Sequence, residues 1–232
     1  ESDDEIIRAL GDTPHLRTTL EKENSETSEE ALIEIYRKLK PGDPASLESA
    51  EPLINNMFFD SRRYDLAKVG RYKFNKKLSL RDRITNQKAK EDVVDTSTGE
   101  ILATAGDLIT EEMAIGIENA GINVVDVIGH EGQSVRVIGN HFVDLDSFGL
   151  DMDLSDLNLS EKVYYPIMEK ILEENDDEKS IRRAIEENVH QLSPIHIIHS
   201  DILASINYEF NLFFGIGSTD DIDHLGNRRV RT

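Results

Sequence analysis

Apolar positions recur about every three to four residues through most of this chain, which predicts helices, and give way to short β-branched runs only in its middle. Residues 3–10 carry Ile6, Ile7 and Leu10 on one side and meet Gly11, a natural stop. Residues 12–27 are polar and show no period. Thr27 followed by Glu30 reads as a capping box, after which Ala31, Leu32, Ile35, Tyr36 and Leu39 line one helical face. Lys40-Pro41-Gly42-Asp43-Pro44 ends that helix, because two prolines around a glycine cannot continue it, and leaves a stiff, exposed loop. A further helix begins at Ser49, with Pro52 in its first turn and Leu53, Ile54, Met57 and Phe58 facing inward.

Near residue 86 the texture changes. Val93-Val94, a turn at Ser97-Thr98-Gly99 and Ile101-Leu102 predict a hairpin. Thr110 caps a short helix carrying Met113, Ala114 and Ile117 that stops around Gly121. Ile122 to Val127 and Val135 to Ile138 read as further strands. Residues 144–161 are acidic and loosely patterned. Helices then resume, with Pro166 in a first turn and Ile181, Ile185 and Val189 at intervals of four. Asp201 or Ser200 caps the last helix, whose stripe Ile202, Leu203, Ile206, Phe210, Phe213 and Phe214 reads as core. Gly215 and Gly217 end it. The expected fold class is α+β, a mainly helical body with an inserted small mixed strand/helix module. Its divisions are a first helical part over 1–85, the β-rich module over 86–145, a second helical part over 146–217 and a linker over 218–232.

Composition narrows the chemistry. At 232 residues, with 38% apolar and 31% charged positions, the chain can bury a sizeable core. No long apolar run or signal-peptide pattern suggests a membrane or an export route, and the absence of cysteine removes disulfides and thiolate metal sites, which fits the cytoplasm. The opening residues lack an initiator methionine, which reads as an excised piece. A net charge of -20 argues against nucleic-acid binding by the chain as a whole. Its distribution says more: residues 61–90 hold eleven Lys/Arg against two acids, whereas residues 91–181 hold four against twenty-two. From residue 59 to residue 74, Phe59, Tyr64, Tyr72 and Phe74 are interleaved with arginines and lysines. Such interleaving suits a surface that contacts a nucleic-acid backbone, or equally a helix face whose cationic tips snorkel to water.

Catalytic chemistry is hard to find. His196 and His199 stand three apart without an accompanying Glu-x-x-His pattern, the glycines of the module have turn rather than phosphate-loop spacing, and no serine lies in a nucleophile elbow. No catalytic or metal-binding residue is assigned. The densest polar cluster is the end, Asp220-Asp221-Ile222-Asp223-His224-Leu225-Gly226-Asn227-Arg228-Arg229-Val230-Arg231. Arg228, Arg229 and Arg231 can meet phosphates and Asp223 can accept from a base edge. The same residues can instead form an internal Asp/Arg network that ties down a loop.

That stretch resembles a signature of the beta subunit of bacterial DNA-directed RNA polymerase, in the form found in low-GC Gram-positive bacteria. Three other blocks share the resemblance: residues 30–37 leading into Pro41-Gly42; Phe58-Phe59-Asp60 with Arg63-Tyr64-Asp65-Leu66 and Val69-Gly70-Arg71; and residues 95–101. The resemblance implies a lobe that encloses downstream duplex DNA, with residues 218–232 leading into a fork-side domain. It implies a nucleotidyltransferase as the whole enzyme, a non-catalytic role for this stretch, and no cofactor here, the Mg2+ being held by the beta-prime subunit. Implied partners are the DNA duplex and its non-template strand, the beta-prime, alpha and omega subunits and sigma factor. Residue by residue, it places Asp223 on a reader of a non-template guanine, whose edge N–H a carboxylate can accept, and Arg228 in the same pocket. Arg229, Gly226 and Asn227 are structural. Lys40 stands where many relatives have arginine at the gate loop, which leaves a point charge without the two-pronged fork. Arg63 and Arg71, in the basic run, complete the expected DNA contacts.

One outcome follows from charge alone. The isolated chain, at -20, binds duplex DNA weakly at best; tight, sequence-independent retardation in a mobility-shift titration at physiological salt contradicts this.

Overall fold

Short polar signals start the helices of the first part of the chain. In the computed structural model, which describes residues 2–60, 62, 63 and 65–217, the chain divides into two units, Glu1–Asp65 and Leu66–Thr232. The first contains α1 (Asp3–Leu10), α2 (Pro14–Glu21), α3 (Ser28–Leu39) and α4 (Leu47–Ile54), the last running into a π-helical turn at Asn55–Phe59. Ser2 and Glu5 close a reciprocal capping box on α1. Thr13 Oγ1 accepts from Leu16 N–H at 3.2 Å and Pro14 holds the first helical position. So α2 occupies a stretch where the apolar pattern predicts nothing, and the Thr-Pro pair is its one legible sign. Thr27 caps α3 through Glu30 N–H, but the Glu30 carboxylate turns to Glu26 N–H at 2.8 Å, so only half of the expected box forms. α4 begins at Leu47, before the expected Ser49. Pro52 therefore lies inside the helix rather than in its first turn, and Glu48 C=O loses its usual N–H donor.

In the second unit α5 (Ala67–Leu78) and α6 (Leu80–Ile84) lead to β1 (Lys88–Ala89), which joins β4 (Val124–Ile128) and β5 (Ser134–Ile138) in an antiparallel sheet ordered β1–β4–β5. Val125, Val127, Val135 and Val137 are buried on one face, while Asp126 and Arg136 pair across the other at 2.9 Å. The predicted hairpin forms from β2 (Val93–Val94) and β3 (Ile101–Ala103). Its turn is held by the Asp95 carboxylate, which accepts from Ser97 and Thr98 and is thereby brought down to about 2. Thr110 caps α7 (Glu111–Asn119), and Ala114 and Ile117 close the sheet core together with Leu80, Ile84 and Ile216.

A second core lies where β6 (Phe142–Asp144) and β7 (Lys162–Tyr164) pair and α8 (Tyr165–Glu174), α9 (Glu178–Glu187) and α10 (Val189–Leu192) pack on Val163, Met168 and Ile185. The acidic run 144–161 is the excursion between these two strands. The architecture is α+β with helices dominant, as the pattern predicts.

The last helix, α11 (His199–Phe213), is rotated from its expected orientation, with Ile202, Leu203, Phe210 and Phe214 of the expected stripe half-buried. Ile206 and Phe213 are 44% and 76% exposed, and the buried side is Asp201, Ala204, Asn207, Tyr208 and Asn211. Nor does Asp201 cap from outside: it is inside the first turn and accepts from Ile198 N–H at 3.0 Å. A mostly polar face is buried because it has guanidinium groups to satisfy.

The two cores of the second unit meet at Gly121. A Cβ there would lie 2.1 Å from the Tyr165 ring, at a φ of +79°. His141 stacks on that ring at 5.3 Å and its Nε2 lies 2.9 Å from Gly121 O, where it donates. Burial holds the His141 imidazole below its ordinary value, against the pull of the Gly121 carbonyl and Glu169. A depressed folded-state value means that the stability it contributes is full above about pH 6.5 and falls as pH drops through the folded value. Urea midpoints at pH 7.5 and 5.5 therefore differ more for the natural chain than for His141→Asn, a side chain that tolerates the left-handed φ of 63°.

Candidate nucleic-acid interface

The residues expected to meet DNA fall into three groups. Asp223 and Arg228, with Gly226, Asn227 and Arg229, lie outside the described residues. Lys40 and Arg63 reach solvent. Lys40 is the C-cap of α3, its N–H bound to Tyr36 O at 2.8 Å and its side chain exposed at the start of the proline loop. Arg63 and Arg62 converge on Asp60, at 3.7 and 3.1 Å, and stay exposed, so Asp60 holds both bases beside the π turn while their charge remains accessible. Those hydrogen bonds from Arg62 keep the Asp60 carboxyl below its ordinary value.

Arg71 is the correction. It is 2% exposed and its guanidinium is fully occupied within the protein, so it offers no cation to a ligand. Nε donates to Pro194 O at 2.8 Å, Nη1 to both Asp201 oxygens at 2.8 Å, and Nη2 to His196 O. The group also lies 5.0 Å over the Phe142 ring. Asn140 Nδ2 completes the set, donating to Asp201 Oδ1 at 3.0 Å and to Asn75 Oδ1 at 3.1 Å. A charge can be buried only if paired and hydrogen-bonded, and here both partners are. The exposed side of α5 is instead Lys68, Val69, Tyr72, Lys73 and Lys76.

A second buried guanidinium repeats the device with neutral partners. Arg83 Nη2 donates to Asn207 Oδ1 at 2.6 Å and Nη1 to Ile138 O, with the Tyr208 ring 5.7 Å away. Burial pulls it down to about 10, still charged at neutral pH. Its Nε is, among the described residues, the buried side-chain polar atom with no hydrogen-bond partner. Asn207 also bridges to β5, taking Ile138 N–H at 2.8 Å and donating to Arg136 O at 2.9 Å. Asp201, Asn207 and Asn211 recur at helical spacing with Ala204 and Tyr208 between them. That polar period inside an apolar helix is the signal that a hydrophobic stripe conceals.

Beside α5 runs a groove of about 550 Å³ edged by Lys68, Tyr72 and Lys76 and floored by Arg81, Asp144 and Lys162. Its floor is electrically matched. Arg81 donates to Asp144 at 2.8 Å, and the buried Glu118 carboxylate accepts from Lys162, from Ser79 Oγ at 2.7 Å and from Arg81 N–H at 3.2 Å. Cations already bound to carboxylates make a brace rather than a phosphate cradle. His196 is held below its ordinary value by burial and then by Arg71, and among the described residues no three His, Asp or Glu converge to hold a metal.

A family model described as RNA polymerase Rpb2, domain 2, matches residues 2–102 and 177–231. The chain is 53% identical over 231 residues to the DNA-directed RNA polymerase subunit beta of Clostridioides difficile (strain 630), covering 100% of this chain and 19% of that protein. Subunits of the same name from Alkaliphilus metalliredigens (strain QYMF) and Clostridium acetobutylicum are 53% and 52% identical, each over all of this chain and 18% of its own length. The chain thus spans about a fifth of the length of the curated relatives it matches.

Burial separates the three arginine and lysine positions by measurement. Asp201→Ala leaves Arg71 buried without a counter-ion and costs about 3–5 kcal/mol, whereas Lys40→Ala and Arg63→Ala change stability by no more than about 0.5 kcal/mol. Urea denaturation checks all three.

Proposed function

The chain belongs to the RNA polymerase Rpb2 domain 2 family, in the form carried by bacterial beta subunits, and we propose on that premise that it is the DNA-facing lobe of a DNA-directed RNA polymerase. One observation carries the reading: the likeness to beta subunits runs the full length of the chain instead of through a single motif. The whole enzyme joins ribonucleotides on a DNA template. This part is non-catalytic in the proposal, and Mg2+ chemistry belongs to the beta-prime subunit. The lobe encloses downstream duplex and touches the non-template strand, with beta-prime, alpha, omega and sigma as protein partners in the cytoplasm.

The chemistry of each residue sets its part. Asp223 accepts from the edge N–H of a non-template guanine, a contact that discriminates among bases. Arg228 meets a phosphate or stacks on a base nearby. Lys40 and Arg63 are exposed cations in the first unit. They contribute sequence-independent attraction that weakens with salt. Gly226, Asn227 and Arg229 hold the closing loop in shape. Arg71 has no place on this surface.

The test uses polymerase assembled with the full-length subunit. Asp223→Ala lowers preference for the non-template guanine by about tenfold, the worth of one good base contact at roughly 1–3 kcal/mol, while assembly stays intact. Failed assembly with unchanged DNA contacts supports a purely structural module instead.

A further inference from the structure

Residues 103–176 fall between the two stretches that the family model matches, and they bond to both. On the N-terminal side, Glu118 accepts from Ser79 and Ile138 O from Arg83. On the C-terminal side, Asn140 reaches Asp201, and Ile138 N–H and Arg136 O engage Asn207. The same segment also reaches the point where α11 ends. The β4–β5 turn closes through Gly129 N–H to Gln133 O and carries His130 at its tip. His130 Nε2 lies 3.1 Å from Gly215 O. Its ring occupies the space a side chain at 215 would need: a Cβ there would fall 1.8 Å from Cδ2 and 2.0 Å from Nε2, at a φ of +72°. One residue later Ile216 is 1% exposed in the sheet core, its N–H bound to Asn211 O at 3.0 Å.

We propose that the β4–β5 hairpin is a latch that fixes where the chain leaves α11, with His130 as its positioning residue. This rests on the reading of Asp223 as a base contact and extends it. Asp223 is six residues beyond Gly217, and six residues span at most about 20 Å, so where Gly217 is held bounds how far Asp223 can reach. His130 holds the outgoing backbone by one hydrogen bond and by ring contact that only glycine permits. Ile216 anchors the same backbone in the sheet core. The segment passed over by the family match thereby sets the geometry of a matched one.

Two arms test this. In the chain itself, His130→Ala speeds hydrogen exchange at the Ile216 amide by about three- to tenfold, the worth of one net hydrogen bond, while amides earlier in α11 and the thermal midpoint stay unchanged. His130→Gln, which keeps an N–H donor, restores slow exchange. In polymerase assembled with the full-length beta subunit, His130→Ala lowers the preference for the non-template guanine at least about threefold without loss of assembly. Unchanged exchange at Ile216 overturns the latch. Faster exchange with an unchanged guanine preference, in an enzyme whose preference Asp223→Ala removes, overturns the positioning role. If Asp223→Ala itself leaves the preference untouched, the base-contact reading falls, and the role of the latch falls with it.

Discussion

The second unit depends on Arg71 and Asp201. Two opposite charges, 2% and 0% exposed and 2.8 Å apart, are stable there only because every remaining donor and acceptor is matched. That condition recruits carbonyls from the loop before α11, amides from Asn75 and Asn140 and a ring from Phe142, so α5, residues 140–142, the loop at 194–196 and the start of α11 are brought into register around one ion pair. A hydrophobic contact tolerates sliding. A buried guanidinium whose Nη1 grips both oxygens of one carboxylate while Nε and Nη2 hold carbonyls does not.

Arg83 extends the constraint to the sheet. Its bonds to Asn207 and Ile138 O, together with those from Asn207 to Ile138 and Arg136, tie α11 to β5 along the same polar face. This explains why part of the apolar stripe of α11 is left outside while Ala204 and Tyr208 go inward with the polar groups. A helix has one side to turn inward, and two buried cations claimed it. The exposed Ile206 and Phe213 are the consequence of that choice.

Burial separates the arginines and lysines that the fold uses from those it leaves to solvent. Of the expected contacts, Lys40 and Arg63 are exposed on the first unit, at a helix end and a turn, where losing or keeping them costs the fold little. Arg71, with the same chemistry and a place in the same basic run, is structural. Charge density along a sequence therefore marks where guanidinium and ammonium groups are concentrated, but not which of them face water.

Much was legible locally. The starts of α1, α3 and α7 follow from Ser2, Thr27 and Thr110, because a cap involves residues three apart and little else. The Val-rich strands and the Asp95 turn are readable for the same reason, and the closing motif with its companions carried the family. What the sequence could not fix depends on partners distant along the chain. Asp201 lies 130 residues from Arg71 and Asn207 lies 124 from Arg83, so the polar period of α11 is visible in the sequence but the partners that turn it inward are not. Pro52 sits inside α4 because that helix starts at Leu47, ahead of the serine that looked like its beginning. The sequence by itself determined most of the helices, the Val-rich strands and the family, while α2 and the β6–β7 pair escaped it because their signals are weak or non-local. Tertiary structure alone decided which arginines are frame and which are surface, since only folding sets the depth at which a charge finds its counter-ion.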